Sequence, residues 1–154
     1  MKIRRATLED LSIVHQIETL SFNDGSYPAF VLRQLFDISP EYFLVGEDDD
    51  GRVVGYVLGN INKNSSQAWL LSLGVHPEAR GKKMGKFLTE KLIEILENDL
   101  STEICLTVHP DNVAAKKIYE QLGFKSVKVF DNYYNDLESR LLMKKQLITL
   151  RFNA

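Results

Sequence analysis

The sequence predicts a single α/β domain, and three observations carry that prediction. Stretches with strand character and stretches with helical spacing mix along the whole chain. No repeat or low-complexity linker divides it. Its 154 residues, 44% of them hydrophobic, suit one core of ordinary size.

Taken in order, "KIRRA" is short enough for a first strand. "TLEDLSIVHQIETLSF" reads as a helix: Thr7 and Asp10 have capping-box spacing, and Leu11, Val14, Ile17 and Leu20 are expected on one face. Gly25 and Pro28 in "NDGSYP" break it, and "AFVLRQLF" is a second short helix. "YFLVGED" and "RVVGYVLGNI" are strands joined across "DDDG" as a hairpin. Asp48, Asp49 and Asp50 read as a solvated turn, because no Glu follows at the distance a calcium loop requires. The turn "NKNSSQ" leads to the strand "AWLLSLGV", then to a glycine-containing loop and the helix "GKFLTEKLIEILEN", with Leu88, Leu92, Ile95 and Leu96 on its buried side. "EICLTV" is a further strand, and "NVAAKKIYEQLGF" a helix ended by Gly123 at its C′ position. "SVKVFDNYY" and "RLLMKKQL" are the last two strands. The closing "ITLRFNA" either extends the last strand or forms a loose tail; the expected domain spans 1–154, with 147–154 as that tail.

Composition excludes several functions. A net charge of −2 and a pI near 5.9 do not supply the basic face that non-specific nucleic-acid binding needs. The lone Cys105 leaves no intramolecular disulfide and no cysteine cluster for zinc, and its apolar surroundings make it a small core residue. The charged N-terminus "MKIRRATLEDL" lacks the apolar core of a signal peptide, and no apolar run approaches the ~20 residues of a membrane span. The expectation is a cytoplasmic protein without nucleic-acid or membrane partners.

The chemistry concentrates in "VHPEARGKKMGKFL". A strand, a loop with Gly81 and Gly85, and a helix start together make an anion site. The first N–H groups of a helix have no internal partners, and the helix dipole is positive there. Arg80, Lys82, Lys83 and Lys86 add charge. The alternative is a solvated basic turn. An ATP-binding P-loop does not fit: three residues separate Gly81 from Gly85, and Phe87 stands where a magnesium-binding hydroxyl is needed. The dinucleotide fingerprint G-x-G-x-x-G is absent as well.

The stretch resembles the acetyl-CoA loop of the GCN5-related N-acetyltransferases, [RQ]-x-x-G-x-[GA], with Arg80 first, Gly85 last and Lys83 at the middle glycine. The order of parts agrees: "V-x-P-x-x-R-G", a helix, a strand, then Asn112, Ala115, Tyr119, Gly123 and Phe124 in "N-x-x-A-x-x-x-Y-x-x-x-G-F". The resemblance covers residues 1–147 and implies a central, mostly antiparallel mixed sheet flanked by helices on both faces. It implies acetyl-CoA as acetyl donor and no metal. Arg80, Gly81, Lys82, Lys83, Met84, Gly85 and Lys86 would hold its pyrophosphate, and backbone groups of Leu73, Gly74 and Val75 its pantetheine arm and acetyl oxygen. Asn112 would cap its helix, contact the coenzyme, or both. Tyr119 would be the proton donor opposite the sulfur.

The flanks are more specific. "SYPAFVLRQLF" and "DNYYNDLESRLLM" resemble the substrate segments of N-terminal acetyltransferases of the ribosomal-protein and archaeal type. They imply that Tyr27, Pro28, Tyr133 and Tyr134 grip a protein or peptide N-terminus. Relatives carry a Glu or His base at the position of Thr107, which cannot act as a base at neutral pH. His109 lies two residues further on, ~6.5 Å along an extended strand. Trp69 has no acid–base role and reads as packing or pocket wall. A free α-amine, with pKa ~7.7–8.0, is already about a tenth neutral at pH 7, whereas a lysine amine at ~10.4 is neutral in under ~0.1% of molecules. A site without an evident base therefore favours α-amines. The expected function is acetyl transfer to protein N-terminal α-amines by direct attack. Its alternatives are a lysine or small-amine acetyltransferase on the same fold, or an acyl-CoA-binding module that has lost catalysis. An auxiliary subunit is not legible.

Overall fold

The structure is a computed structural model that describes residues 1–147; the closing "ITLRFNA" lies outside the described residues. Among the described residues seven strands, β1 (Lys2–Arg5), β2 (Phe43–Glu47), β3 (Val53–Asn62), β4 (Gln67–Val75), β5 (Glu103–Val108), β6 (Lys125–Phe130) and β7 (Arg140–Gln146), form one sheet in the order β1-β2-β3-β4-β5-β7-β6. The ladders β1/β2, β2/β3, β5/β7 and β6/β7 are antiparallel and β4/β5 is parallel, so the sheet is mixed and mostly antiparallel, as expected. By internal contacts the chain forms two compact units, Met1–Asn60 with Ser72–Leu92, and Ile61–Leu71 with the chain from Ile93 onward.

The first unit holds β1 (Lys2–Arg5), α1 (Leu11–Phe22), α2 (Ala29–Ile38), β2 (Phe43–Glu47) and most of β3 (Val53–Asn62). It also takes the second half of β4 (Gln67–Val75) and the start of α3 (Met84–Asn98). Side chains alternate across β2, which sorts the helices onto faces. Phe43 meets Phe36 of α2 edge-on, with ring centroids 6.2 Å apart. Gly46, three residues on and therefore on the opposite face, lies under Met84 of α3. Tyr56 pairs with Val45 and bonds Glu18 of α1, which puts α1 on the face of α2. Helices thus cover both faces in this unit.

Two details of α1 differ from the expectation. Leu8–Asp10 forms a 3-10 turn before the helix proper. Leu20 is 51% exposed, while Glu18 is buried beside Val14 and Ile17. A run spaced strictly by three drifts around a helix of 3.6 residues per turn, so its fourth member lies about half a turn from its first. Glu18, four residues after Val14, falls inside the buried stripe. In α3, likewise, Ile93 is buried and Ile95 is only half-buried.

The second unit holds the first half of β4, the rest of α3, β5 (Glu103–Val108), α4 (Val113–Gln121), β6 (Lys125–Phe130) and β7 (Arg140–Gln146). The parallel ladder pairs Gln67, Ala68 and Trp69 with Glu103, Ile104 and Cys105. Gly123 takes φ +93° after α4, and an added Cβ there would lie 2.9 Å from Lys145 Nζ. Strand β6 ends at Phe130, so "NYY" lies in a loop and does not continue the strand. Asn132 Oδ1 accepts the Leu137 N–H at 2.7 Å, and Asn135 and Leu137 take positive φ, which turns the chain out of the sheet.

Asp10 fixes the entry to α1. Its Oδ2 accepts the Thr7 N–H at 2.7 Å, and its two oxygens take both terminal nitrogens of Arg4 at 2.7 and 3.0 Å. The Arg4 bonds hold the Asp10 carboxyl below its ordinary range. Asp10→Ala is expected to cost about 2 kcal/mol in urea unfolding at pH 7, since it removes a cap and one side of a bidentate pair. A carboxyl whose folded pKa is depressed contributes fully above its unfolded pKa and loses that contribution as pH falls through the folded value. The difference between wild type and Asp10→Asn therefore shrinks below about pH 4.

Candidate active site

The glycine-containing loop runs from the end of β4 to the start of α3. His76 N–H pairs with Val54 O at 2.8 Å, which ties the strand end to β3. Arg80 Nε donates to Val75 O at 3.1 Å, folding the guanidinium back over the loop. Gly81 and Lys83 both take left-handed φ, +81° and +68°. Phe87 N–H closes the first helical turn on Lys83 O at 3.0 Å. The N–H groups of residues 81–86 bond to no acceptor among the described residues. The result is a row of free backbone donors at a helix start with Lys82 and Lys83 exposed beside it, a cradle that fits a pyrophosphate. Met84 contributes only its backbone, because its side chain is buried against Gly46 and Gly55. Gly85 O accepts the Thr89 hydroxyl, so its carbonyl turns inward.

A cleft of about 620 Å³ lies in the same unit, walled by His76, Lys82, Met84 and the hairpin turn at Asp48, Asp49 and Arg52. Carboxylates and cations alternate in its wall, so it is no anion funnel.

On the other face of this unit, Tyr27 and Pro28 follow a 3-10 turn, Asn23–Gly25, and lead into α2. The Tyr27 N–H donates to Glu18 Oε2 at 3.0 Å; the Ser26 hydroxyl lies 2.6 Å from Asn23 O and 3.2 Å from Glu18 O, shared between the two carbonyls. Glu18 Oε1 accepts the hydroxyls of Tyr56 and Ser72, the latter at 2.7 Å. Burial and the Glu18 charge push the Tyr56 phenol far up, so it stays a donor. Leu73, Gly74 and Val75 follow Ser72 on β4, and Gly74 lies over the Tyr56 ring where a Cβ would sit 2.6 Å from it. Sequence reasoning missed Glu18, Tyr56 and Ser72. The available signal was an acid at a core position of α1 and a serine at an inward position of β4.

In the second unit, the Thr107 hydroxyl lies 2.7 Å from the Tyr134 hydroxyl. Tyr134 stacks edge-on against Tyr133 at 4.8 Å, and the Arg140 guanidinium sits 5.3 Å from its ring centre. The structure thus brings Thr107, Tyr133 and Tyr134 together. His109 lies just past the end of β5. Its Nδ1 accepts the Asp111 N–H at 3.1 Å, which leaves the proton on Nε2, 3.2 Å from Glu138 Oε2. Both ring nitrogens are engaged. Asn112 caps α4 through Oδ1, which accepts the Ala115 N–H at 3.2 Å, and its amide nitrogen bonds to no other described residue. Trp69 donates its indole N–H to Gln67 at 3.0 Å, consistent with packing. Cys105 is buried, and burial pushes its thiol up to about 11, which removes nucleophilic character.

Tyr119 is 5% exposed and packs edge-on against Phe124 at 5.7 Å. Burial pushes its phenol well above the ordinary value. Its hydroxyl bonds to no other described residue, yet it is not sealed off: among the described residues the buried side-chain polar atom without a partner is Ser101 Oγ. A rigid ring thus presents a free, neutral O–H.

A seven-stranded mixed sheet with a backbone donor cradle between β4 and α3 is the architecture of an acyl-CoA-using transferase. The model of the acetyltransferase (GNAT) family matches residues 11–124, and the chain belongs to that family. An uncharacterised N-acetyltransferase of Methanocaldococcus jannaschii is 34% identical over 147 residues, covering 95% of this chain and 92% of the relative. The catalytic subunit of the N-terminal acetyltransferase B complex of Arabidopsis thaliana is 31% identical, covering 94% of this chain and 84% of the subunit. Among solved structures, Ard1 from Thermoplasma volcanium superposes with a TM-score of 0.88 at 24% identity, over 96% of this chain and 97% of that one. The protein is an acetyl-CoA-dependent N-acetyltransferase.

Lys83 stands where the family pattern has glycine, and its φ of +68° is the angle that glycine adopts without strain. Lys83→Gly is expected to raise stability by about 0.5–1 kcal/mol in urea unfolding, the left-handed strain less the entropy of the added glycine. Because the lysine side chain is exposed and the cradle is backbone, calorimetry should find acetyl-CoA affinity changed less than about tenfold; a larger tightening assigns the lysine a cost at the phosphates.

Proposed function

We propose that the protein acetylates the N-terminal α-amine of proteins or peptides by direct attack on acetyl-CoA. The observation that carries this reading is the state of the positions where a base is expected. The Thr107 hydroxyl is taken up by Tyr134, and both nitrogens of His109 are engaged. An acceptor that arrives largely protonated, such as lysine, gains nothing from such a site, whereas an α-amine needs little help. The names of similar proteins support the same class, including an N-alpha-acetyltransferase of Saccharolobus solfataricus at 29% identity over 94% of this chain.

The roles follow from each residue's chemistry. Bound acetyl-CoA supplies an activated acyl carbon. The free N–H groups of residues 81–86, with Lys82 and Arg80, neutralise its pyrophosphate. Backbone groups of Leu73, Gly74 and Val75 pair with the pantetheine arm. The hydroxyls of Tyr133 and Tyr134 and the Tyr27–Pro28 loop hold the acceptor's first residues. The neutral amine forms the new C–N bond as the C–S bond breaks. Tyr119 donates a hydrogen bond to the departing sulfur, and the amine proton leaves through solvent, without need of Thr107 or His109. The acyl group never rests on Cys105.

A panel of acceptors tests the reading by thiol release: peptides varied at residue 1, a lysine peptide with a blocked N-terminus, and polyamines. Turnover is expected with free N-termini and not with the blocked peptide; lysine-only turnover overturns it. No turnover at all, alongside tight CoA binding, leaves an acyl-CoA-binding module. Tyr119→Phe is expected to lower kcat ~10- to 100-fold while KM for acetyl-CoA moves less than about threefold. Unchanged kcat removes its role.

A further inference from the structure

We infer that Glu18 is a positioning residue for the acceptor, acting through the Tyr27–Pro28 loop. The inference rests on the reading that this loop receives the acceptor amine. Glu18 is 1% exposed, and no ion pair reaches it among the described residues. A carboxylate in that position is costly unless its oxygens are satisfied by hydrogen bonds. Three donors converge on it, from three elements. Tyr56 comes from β3 and Ser72 from β4, both on Oε1, with the two hydroxyls 3.0 Å apart. The third donor is the backbone N–H of Tyr27, on Oε2. Two donors therefore belong to the sheet and one to the loop, and the carboxylate is the link between them.

The link is one-directional in rigidity. Tyr56 is wholly buried, with Gly74 against its ring, so its hydroxyl has one place to point. The loop has bonds of its own, the Ser26 N–H and hydroxyl to Asn23 O and the Val31 N–H to Pro28 O, but none of these reaches the sheet. The Ser26 hydroxyl, shared between Asn23 O at 2.6 Å and Glu18 O at 3.2 Å, sits beside this bond. An apolar side chain at position 18 would remove the acceptor of the Tyr27 N–H and loosen this tie of the loop to the sheet. The pyrophosphate cradle shares none of these bonds, and the Tyr56 ring stays in place against Gly74, so acetyl-CoA affinity should change far less than acceptor KM. A glutamine can turn its oxygen to the Tyr27 N–H and its amide NH2 to the two hydroxyls, which accept as well as donate.

The test compares Glu18→Met, Glu18→Gln and Tyr56→Phe, reading acceptor KM and kcat by thiol release and acetyl-CoA affinity by calorimetry. Expected for Glu18→Met is an acceptor KM raised about tenfold or more, with acetyl-CoA affinity within about twofold, and most of the loss recovered in Glu18→Gln. An unchanged acceptor KM overturns the inference. So does an equal loss of acetyl-CoA affinity, which marks a merely structural group, or a Glu18→Gln as impaired as Glu18→Met, which makes the charge the active feature. If Glu18→Met does not fold, Tyr56→Phe decides: its acceptor KM should rise at least about threefold with acetyl-CoA affinity kept, or the role falls. The wild type separates the two layers. Turnover of an α-amine peptide with no selective effect in the variants removes only Glu18, whereas a wild type inert to every amine removes the acceptor reading itself and this role with it.

Discussion

The first turn of α3 lies where it does because two glycines leave room for it. Gly46 and Gly55 are cross-strand partners on β2 and β3, and Met84 covers both. A Cβ on Gly46 would lie 2.3 Å from Met84 Sδ, and one on Gly55 3.1 Å from Met84 Cγ. With the helix start pressed onto the sheet, the chain leaving Val75 must climb and turn within a few residues. That need explains the left-handed φ at Gly81 and Lys83. The same tight turn leaves a row of backbone N–H groups with no internal acceptor among the described residues. The close approach of helix to sheet thus leaves a demand that the pyrophosphate of acetyl-CoA would meet.

The opposite face of the same strands obeys a different rule. Here the sheet presents a buried polar cluster, Tyr56 and Ser72, and α1 answers with Glu18. Gly74 is again the enabling residue, since a side chain there would displace the Tyr56 ring. One layer of strands therefore fixes a backbone cradle on one side and, through a single carboxylate, a loop on the other. A cluster of three neutral donors around one charge is specific in a way that apolar packing is not. The two hydroxyls share Oε1 and contact each other, whereas the Tyr27 N–H is the donor on Oε2 among the described residues, so the loop's bond is the one without a substitute in the cluster.

Much of this was legible in the sequence, for identifiable reasons. The apolar run of β4 reads as a strand, but which face is buried does not: Ala68, Leu70, Ser72 and Gly74 are the buried positions, while Trp69, Leu71, Leu73 and Val75 are only partly covered. Gly123 marks the end of α4 because few other residues accept its φ. Lys83 was legible as a departure from a motif, but its cost depended on a backbone angle that no spacing encodes. Glu18 left only one local mark, an acid four residues after Val14. An acid in an amphipathic helix is normally solvated, and its partners lie 38 and 54 residues away on two strands. The end of β6 was hidden too. "FDNYY" carries strand-forming aromatics, and the Asn132 side chain that turns the chain acts through a bond to Leu137 five residues on. Local propensity is readable; a long-range polar contact is not.

The proton inventory explains how acetyl transfer proceeds with Thr107 and His109 both engaged. Burial raises the Tyr119 phenol, so the group is always protonated at neutral pH but parts with its proton reluctantly. In the proposed role it would stabilise the leaving sulfur by a hydrogen bond rather than by full transfer. An ordinary thiol has a pKa of about 8.5, and an α-amine about 7.7–8.0. Moving one proton from the ammonium to the thiolate is then close to thermoneutral, and water can carry it. A lysine amine near 10.4 holds its proton more tightly by roughly 3.5 kcal/mol, a deficit that only a dedicated base beside the attacking nitrogen removes. Hydroxyls fill the position where such a base is expected, Thr107 and Tyr134 bonded to each other. Selection between the two kinds of amine can therefore reside in their own pKa values as much as in the shape of the pocket.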